Sequence, residues 1–220
     1  MKKIKNIGII NFGAGNLYAI KNACHKIGLK TKIVNETLDN YDALIIPGVG
    51  AFKTAIENIK LKNYYDKINE FKKTGKLILG ICLGMQLLAS KSFEDGENDG
   101  FSFVDANVSS VKDDLSYINN KNDKIITPIT GWNSVFFNTN NKDFKFSKID
   151  NFNSENFYFI HSYWIKNINK KYLLGTAYFM NHNYCACFKK ENVIGIQFHP
   201  ERSGNNGLNL LEDIFINNDY

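Results

Sequence analysis

Residues 76–89 read KLILGICLGMQLLA: one apolar run at 77–79, a cysteine between Gly80 and Gly84, and a second apolar run at 87–89. The first run has the length and continuity of a strand buried on both faces, and from Leu83 onward the chain reads as a helix. Cys82 therefore falls at the bend between strand and helix. Gly80 and Gly84 remove side chains that would collide as the chain turns back, the pattern better known with serine as the Gly-x-Ser-x-Gly nucleophile elbow. Such a bend holds the sulfur above the carboxyl edge of a parallel sheet, where α/β folds place ligands. It also faces the sulfur toward the unpaired N–H groups of a helix start, which favour an anion and can hold a developing oxyanion. An isolated apolar cysteine is more often core than reactive. The glycines make the two readings comparable, and a partner base is needed to decide.

Outward from this bend the first half alternates in period. Residues 7–10, 30–34 and 43–47 read as strands, as does 77–81. Helical spacing puts Leu17, Ile20, Cys24 and Ile27 on one face, and helices are expected over 51–61 and 64–73. Alternation of this kind predicts a mostly parallel sheet flanked by helices. After about residue 100 the texture becomes short aromatic and β-branched runs between polar turns, which suits antiparallel strands. Residues 133–156, rich in Asn, Lys and Phe, read as a loop excursion, and Leu208, Leu211 and Phe215 mark a closing helix. The expectation is one α/β domain spanning residues 1–220.

The base is offered by IGIQFHPERSG, residues 194–204. Proline disfavours the helical conformation for the residue before it, so His199 should be extended, with Glu201 two residues on pointing to the same side. A carboxylate there selects one tautomer and leaves the other ring nitrogen for Cys82. Each of the three groups ends a predicted strand. At such a strand end the His199 side chain is expected to contribute little to core stability.

The ordered motifs PGVGAF (47–52), GICLGMQLL (80–88), HSYW (161–164) and GIQFHPERSG (195–204) resemble the class I, triad-type glutamine amidotransferases. Together with NFGAGN (11–16), GWN (131–133) and FHPERSGNNGLNLL (198–211), they are most similar to the glutaminase subunits of imidazole glycerol phosphate synthases. The likeness runs from residue 7 to about 215. It implies the flavodoxin-like fold of that family, with Cys82 as nucleophile, His199 as proton carrier and Glu201 orienting His199. It further implies an oxyanion and substrate cradle around Gly48, Val49 and Leu83, with Gln86, Ser162 and Tyr163 holding the amino-acid end of L-glutamine. The implied partner is a (β/α)8-barrel cyclase subunit that receives the ammonia. The alternative is a related glutaminase feeding a sugar amidotransferase of surface-polysaccharide synthesis. The family pattern has Pro-His-Met before Gly-Trp-Asn and Asp-Tyr-Gly in the first turn. Here these are Pro128-Ile129-Thr130 and Asn11-Phe12-Gly13, changes that miss the triad and fall toward the partner side.

Composition bounds the rest. The chain has 220 residues, 44% hydrophobic, with 27 basic against 22 acidic residues scattered singly or in pairs. That charge distribution argues against nucleic-acid binding. No apolar run approaches a membrane span and the start lacks a signal-peptide core, so four cysteines without framework spacing suggest reduced thiols in the cytoplasm. His182, Cys185 and Cys187 (HNYCAC) lack a fourth zinc ligand, and Cys-x-Cys on a strand is read as two small apolar groups on one face. Neither metal nor cofactor is expected. NFGAGN lacks the full dinucleotide fingerprint and reads as a tight turn. His161 lies in the cradle segment without an assigned role for its ring.

Overall fold

A computed structural model describes residues 4–34, 37–116, 125–139, 141–148 and 155–218. The chain opens with β1 (Asn6–Ile10), α1 (Leu17–Lys26), β2 (Lys30–Val34), β3 (Ala43–Ile46), α2 (Phe52–Leu61), α3 (Tyr64–Lys73) and β4 (Leu77–Ile81). A single-turn α4 (Leu83–Leu87) follows, then β5 (Ala89–Ser92), β6 (Asn98–Asp99), β7 (Val104–Ser110) and α5 (Val111–Ser116). The second half holds β8 (Ile129–Phe137), β9 (Glu155–His161), β10 (Tyr163–Lys166), β11 (Leu173–Phe179), β12 (His182–Lys190), β13 (Val193–Ile196) and α6 (Gly204–Phe215).

The main sheet runs β2-β1-β3-β4-β13-β12-β11-β8-β9. Its first five strands are parallel and the remaining pairs antiparallel. The parallel part has the doubly wound order of flavodoxin-like folds, in which the carboxyl ends of the strands form the ligand edge. Ile7, Ile9, Ile10, Leu44, Ile45, Leu77, Ile78 and Leu79 are fully buried, as strands covered on both faces require. Each such side chain contributes roughly 1.5–3 kcal/mol by leaving water. In α1 the Asn16 side chain caps the Ala19 N–H at 3.0 Å, and Ile20, Ala23 and Cys24 turn inward.

Three features differ from the sequence expectation. The runs after residue 100 do not all extend one sheet: β7 pairs with β10 and β5 in a second sheet of order β10-β7-β5-β6. The excursion expected from residue 133 begins later, because β8 continues to Phe137 with Val135 buried and Phe136 facing out. Beyond it, the buried Asp213 carboxylate accepts the backbone N–H groups of Ser147 and Lys148 at 3.0–3.1 Å, tying this stretch to α6. Finally, Cys185 and Cys187 do not share a face. The β11–β12 register shifts on either side of Gly175, opposite Cys187, and the two thiols enter different core clusters. Among the described residues no helix is long and apolar enough to cross a membrane.

Candidate active site

Parallel pairing of β4 with β13 sets Ile81 opposite Ile196, so the segments leaving the two strands start side by side. The Cys82 N–H donates to the Ile196 carbonyl at 2.7 Å, closing the junction. Cys82 has φ 53° and ψ −109°, a conformation L-residues avoid. Strain of this kind costs about 1–3 kcal/mol and persists where the surroundings over-determine it. Gly80 and Gly84 are needed for close approach. A Cβ on Gly80 would lie 2.6 Å from the Gly84 carbonyl oxygen, within the bend itself. A Cβ on Gly84 would lie 1.8 Å from the Ile46 carbonyl oxygen, so the second glycine serves packing against β3.

After β13 the chain passes through Gln197 and Phe198 to His199, which is extended (φ −105°, ψ 96°) as the following proline requires. Glu201 reaches the ring differently from expectation. Pro200–Arg202 form a 3-10 turn, and it is this turn that brings Glu201 Oε1 to 2.8 Å from His199 Nδ1. A carboxylate only accepts, so Nδ1 carries the proton and Nε2 is the nitrogen left for the sulfur. Nε2 and Glu201 Oε2 are buried with no hydrogen bond among the described residues. The loop is held from β9: Tyr158 O accepts the His199 N–H at 2.9 Å, and Ser203 Oγ bridges Tyr158 N–H and the His199 carbonyl.

Burial works to lower the His199 pKa, but the Cys82 sulfur and the Glu201 carboxylate outweigh it and raise the imidazole to about 10. A histidine raised above its ordinary 6.5 stabilises the fold fully below about pH 6.5, and that contribution is lost as pH rises through about 10. Stability to urea is therefore expected to fall as pH rises through about 10, and to fall less steeply in Cys82→Ser, which removes one of the two groups that raise the imidazole. Parallel stability–pH curves for the two proteins would refute the pairing.

A cavity of about 300 Å³ opens in front of the sulfur. Of the residues assigned from sequence, Cys82, Val49, Leu83, Gln86, Ser162 and Tyr163 line it. Gly48 backs the wall instead, where a Cβ would meet Leu83 Cβ at 2.7 Å, and His199 and Glu201 do not line the cavity. Gln86 Nε2 donates to the Tyr163 carbonyl at 2.9 Å, fixing its amide. His161 also lines the cavity, donating from Nδ1 to the same carbonyl at 2.9 Å. Burial lowers its pKa to about 4 despite that bond, so the ring is neutral at pH 7.

Glu94 is a wall residue that the sequence did not reveal. Its Oε2 accepts the Phe52 N–H at the start of α2 at 2.7 Å, and burial raises its pKa. It lies in the acidic stretch FEDGEN, and nothing local separates it from its neighbours.

A cysteine held strained where a strand turns into a helix, and paired with an imidazole that a carboxylate orients, suits thiol-dependent acyl transfer. The chain belongs to the class-I glutamine amidotransferase family, whose model matches residues 8–218. Solved structures agree on the fold: PurLQS from Thermotoga maritima superposes with a TM-score of 0.69 at 18% identity, covering 96% of this chain and 97% of that one. Within the family the chain groups with the HisH subunits of imidazole glycerol phosphate synthase. It is 38% identical over 209 residues to "Imidazole glycerol phosphate synthase subunit HisH" of Caldanaerobacter subterraneus subsp. tengcongensis, covering 94% of this chain and 96% of the relative. It is likewise 38% identical over 210 residues to "Imidazole glycerol phosphate synthase subunit HisH 2" of Methanococcus maripaludis, covering 94% and 97%.

Proposed function

We infer that this chain is the glutaminase subunit of an imidazole glycerol phosphate synthase. It hydrolyses L-glutamine to glutamate and passes the ammonia to a (β/α)8-barrel cyclase subunit that makes imidazole glycerol phosphate. The observation that carries the chemistry is the junction of β4 and β13, which sets Cys82 against His199 and Glu201. The pathway rests on the HisH relatives, which favour histidine biosynthesis over sugar amidination.

In this reading Cys82 attacks the side-chain carbonyl of glutamine, and the tetrahedral oxyanion is held by backbone N–H groups at Val49 and Leu83. His199 gives its proton to the departing amide nitrogen, ammonia leaves, and water hydrolyses the glutamyl thioester with His199 as base. Glu201 keeps the ring in the required tautomer. The α-ammonium of glutamine meets Glu94 and the Gln86 side-chain oxygen, while backbone groups of Ser162 and Tyr163 take the α-carboxylate. Gly48 keeps the cradle close to Leu83.

Ammonia in neutral water is mostly protonated and no longer nucleophilic, so an enclosed route to the acceptor is an advantage. The face of β8, β9 and β11 beside the cavity suits a partner surface. Trp132, Phe136 and Tyr178 are about half exposed or more there, and Arg202 stacks 4.3 Å over Tyr158. Turnover without an acceptor is wasteful, and Val49-Gly50 is built for a gate: Val49 is half exposed on the cavity wall and Gly50 has φ +114°. Rotation of this peptide would complete or dismantle the oxyanion site.

Reconstitution with a barrel cyclase subunit and its nucleotide substrate is the test. Glutamine-dependent formation of imidazole glycerol phosphate is expected, with glutamine hydrolysis at least about tenfold faster than without the partner. Glutamine hydrolysis that never yields the imidazole product would sink the pathway. A rate indifferent to the partner and its nucleotide would rule out the gate.

A further inference from the structure

We infer that Gln197 is a further catalytic residue of the glutaminase site proposed above, donating a side-chain N–H to the Cys82 sulfur while its carbonyl end holds Gln86 at the cavity. Gln197 is fully buried between Ile196 and Phe198, where an unpaired amide would be costly. Both ends of its amide are used. Oε1 accepts from Gln86 Nε2 at 3.2 Å, and Nε2 lies 3.6 Å from Cys82 Sγ.

The direction of these bonds follows from the Tyr163 carbonyl, which can only accept. It receives Gln86 Nε2 at 2.9 Å and His161 Nδ1 at 2.9 Å. Gln86 therefore presents its NH2 group on this side, and the Gln197 oxygen must face that NH2. The Gln197 NH2 is left for the sulfur. Reversing either amide would set donor against donor or acceptor against acceptor in a buried site.

Besides the His199 imidazole, the sulfur thus meets two opposed neighbours. The Ile160 carbonyl, 3.7 Å away, accepts from a thiol S–H and repels a thiolate. The Gln197 N–H binds either form and binds the anion more strongly, because a charge-assisted bond is roughly twice as strong as a neutral one. Gln197 therefore favours the ionised nucleophile, from the same short segment that carries His199. Through its other end it fixes Gln86, so that substrate position and sulfur ionisation share one amide.

The test is the pH dependence of Cys82 alkylation by iodoacetamide on the full chain, read by mass spectrometry of the modified peptide, for wild type, Gln197→Met and Gln197→Glu. Burial pushes the Cys24 thiol up to about 12 and raises those of Cys185 and Cys187 as well, so those thiols do not compete. Gln197→Met removes the donor at nearly constant volume. Its alkylation at pH 7 is expected to slow roughly tenfold, with the profile displaced upward by about one pH unit. Gln197→Glu keeps an acceptor for Gln86 but sets a carboxylate against the sulfur. Its profile should move at least as far while the KM for glutamine changes less than in Gln197→Met. Melting curves confirm folding, and if Gln197→Met does not fold, Gln197→Glu decides alone. Profiles superimposable on wild type in every folded variant would overturn the inference. Failure of glutamine to slow wild-type alkylation would instead overturn the site reading, and this inference with it.

Discussion

Replacing His199 with alanine is expected to lower glutamine turnover by roughly 10⁴-fold, measured with the cyclase partner at saturating glutamine. Without the imidazole the sulfur loses both its proton acceptor and the cation that stabilises it, and the leaving nitrogen must depart unprotonated. The same change also reaches the fold, contrary to the expectation for a strand-end side chain. His199 is only 4% exposed and pairs with a Glu201 side chain only 3% exposed. Its loss strands a carboxylate whose second oxygen has no hydrogen bond among the described residues, a cost of about 2–4 kcal/mol. The two effects separate in the double variant His199→Ala/Glu201→Gln, which should regain part of the lost stability and none of the turnover. Recovery of turnover in the double variant, or full wild-type activity in His199→Ala, would remove the imidazole from the mechanism.

The parallel half of the fold was legible because its strands and helices bury different periodicities. Residues expected as strands at 30–34 and 77–81, and as a helix at 64–73, match β2, β4 and α3. The antiparallel half was less legible, since short strands declare their faces but not their neighbours. β5 reads Ala-Ser-Lys-Ser, with no alternation to mark it as the parallel partner of β7. The bulge opposite Gly175 is likewise invisible locally, because it depends on where β11 and β12 meet. Within the site, Cys82, His199 and Glu201 stood out because each follows an apolar strand or its end. Gln197 lay inside the same motif but resembled a polar residue at a strand exit. Its use emerges only when Gln86, 111 positions earlier, is packed against it. Glu94 required α2 and its acidic turn to meet.

The largest structural effect is expected from a single methyl group. In Gly84→Ala the new carbon would sit 1.8 Å from the Ile46 carbonyl oxygen and 2.8 Å from the Ile46 carbonyl carbon. Neither is the movable end of a side chain. Ile46 closes β3, which pairs in register with β4 through Ile46 and Gly80, so relieving the clash means parting the two strands or lifting the cysteine bend off the sheet. Overpacking against rigid backbone, at the upper end of its range, costs about 3 kcal/mol, which for a chain of this size lowers the melting temperature by roughly 10 °C. Loss of Cys82 alkylation at temperatures where the variant is still folded should accompany it, because the bend that strains Cys82 is the element displaced. Calorimetry together with peptide-resolved alkylation measures both. If Gly84→Ala melts within about 2 °C of wild type, the close approach of bend to β3 does not exist, and the sulfur is not held at the sheet edge in the way the chemistry requires.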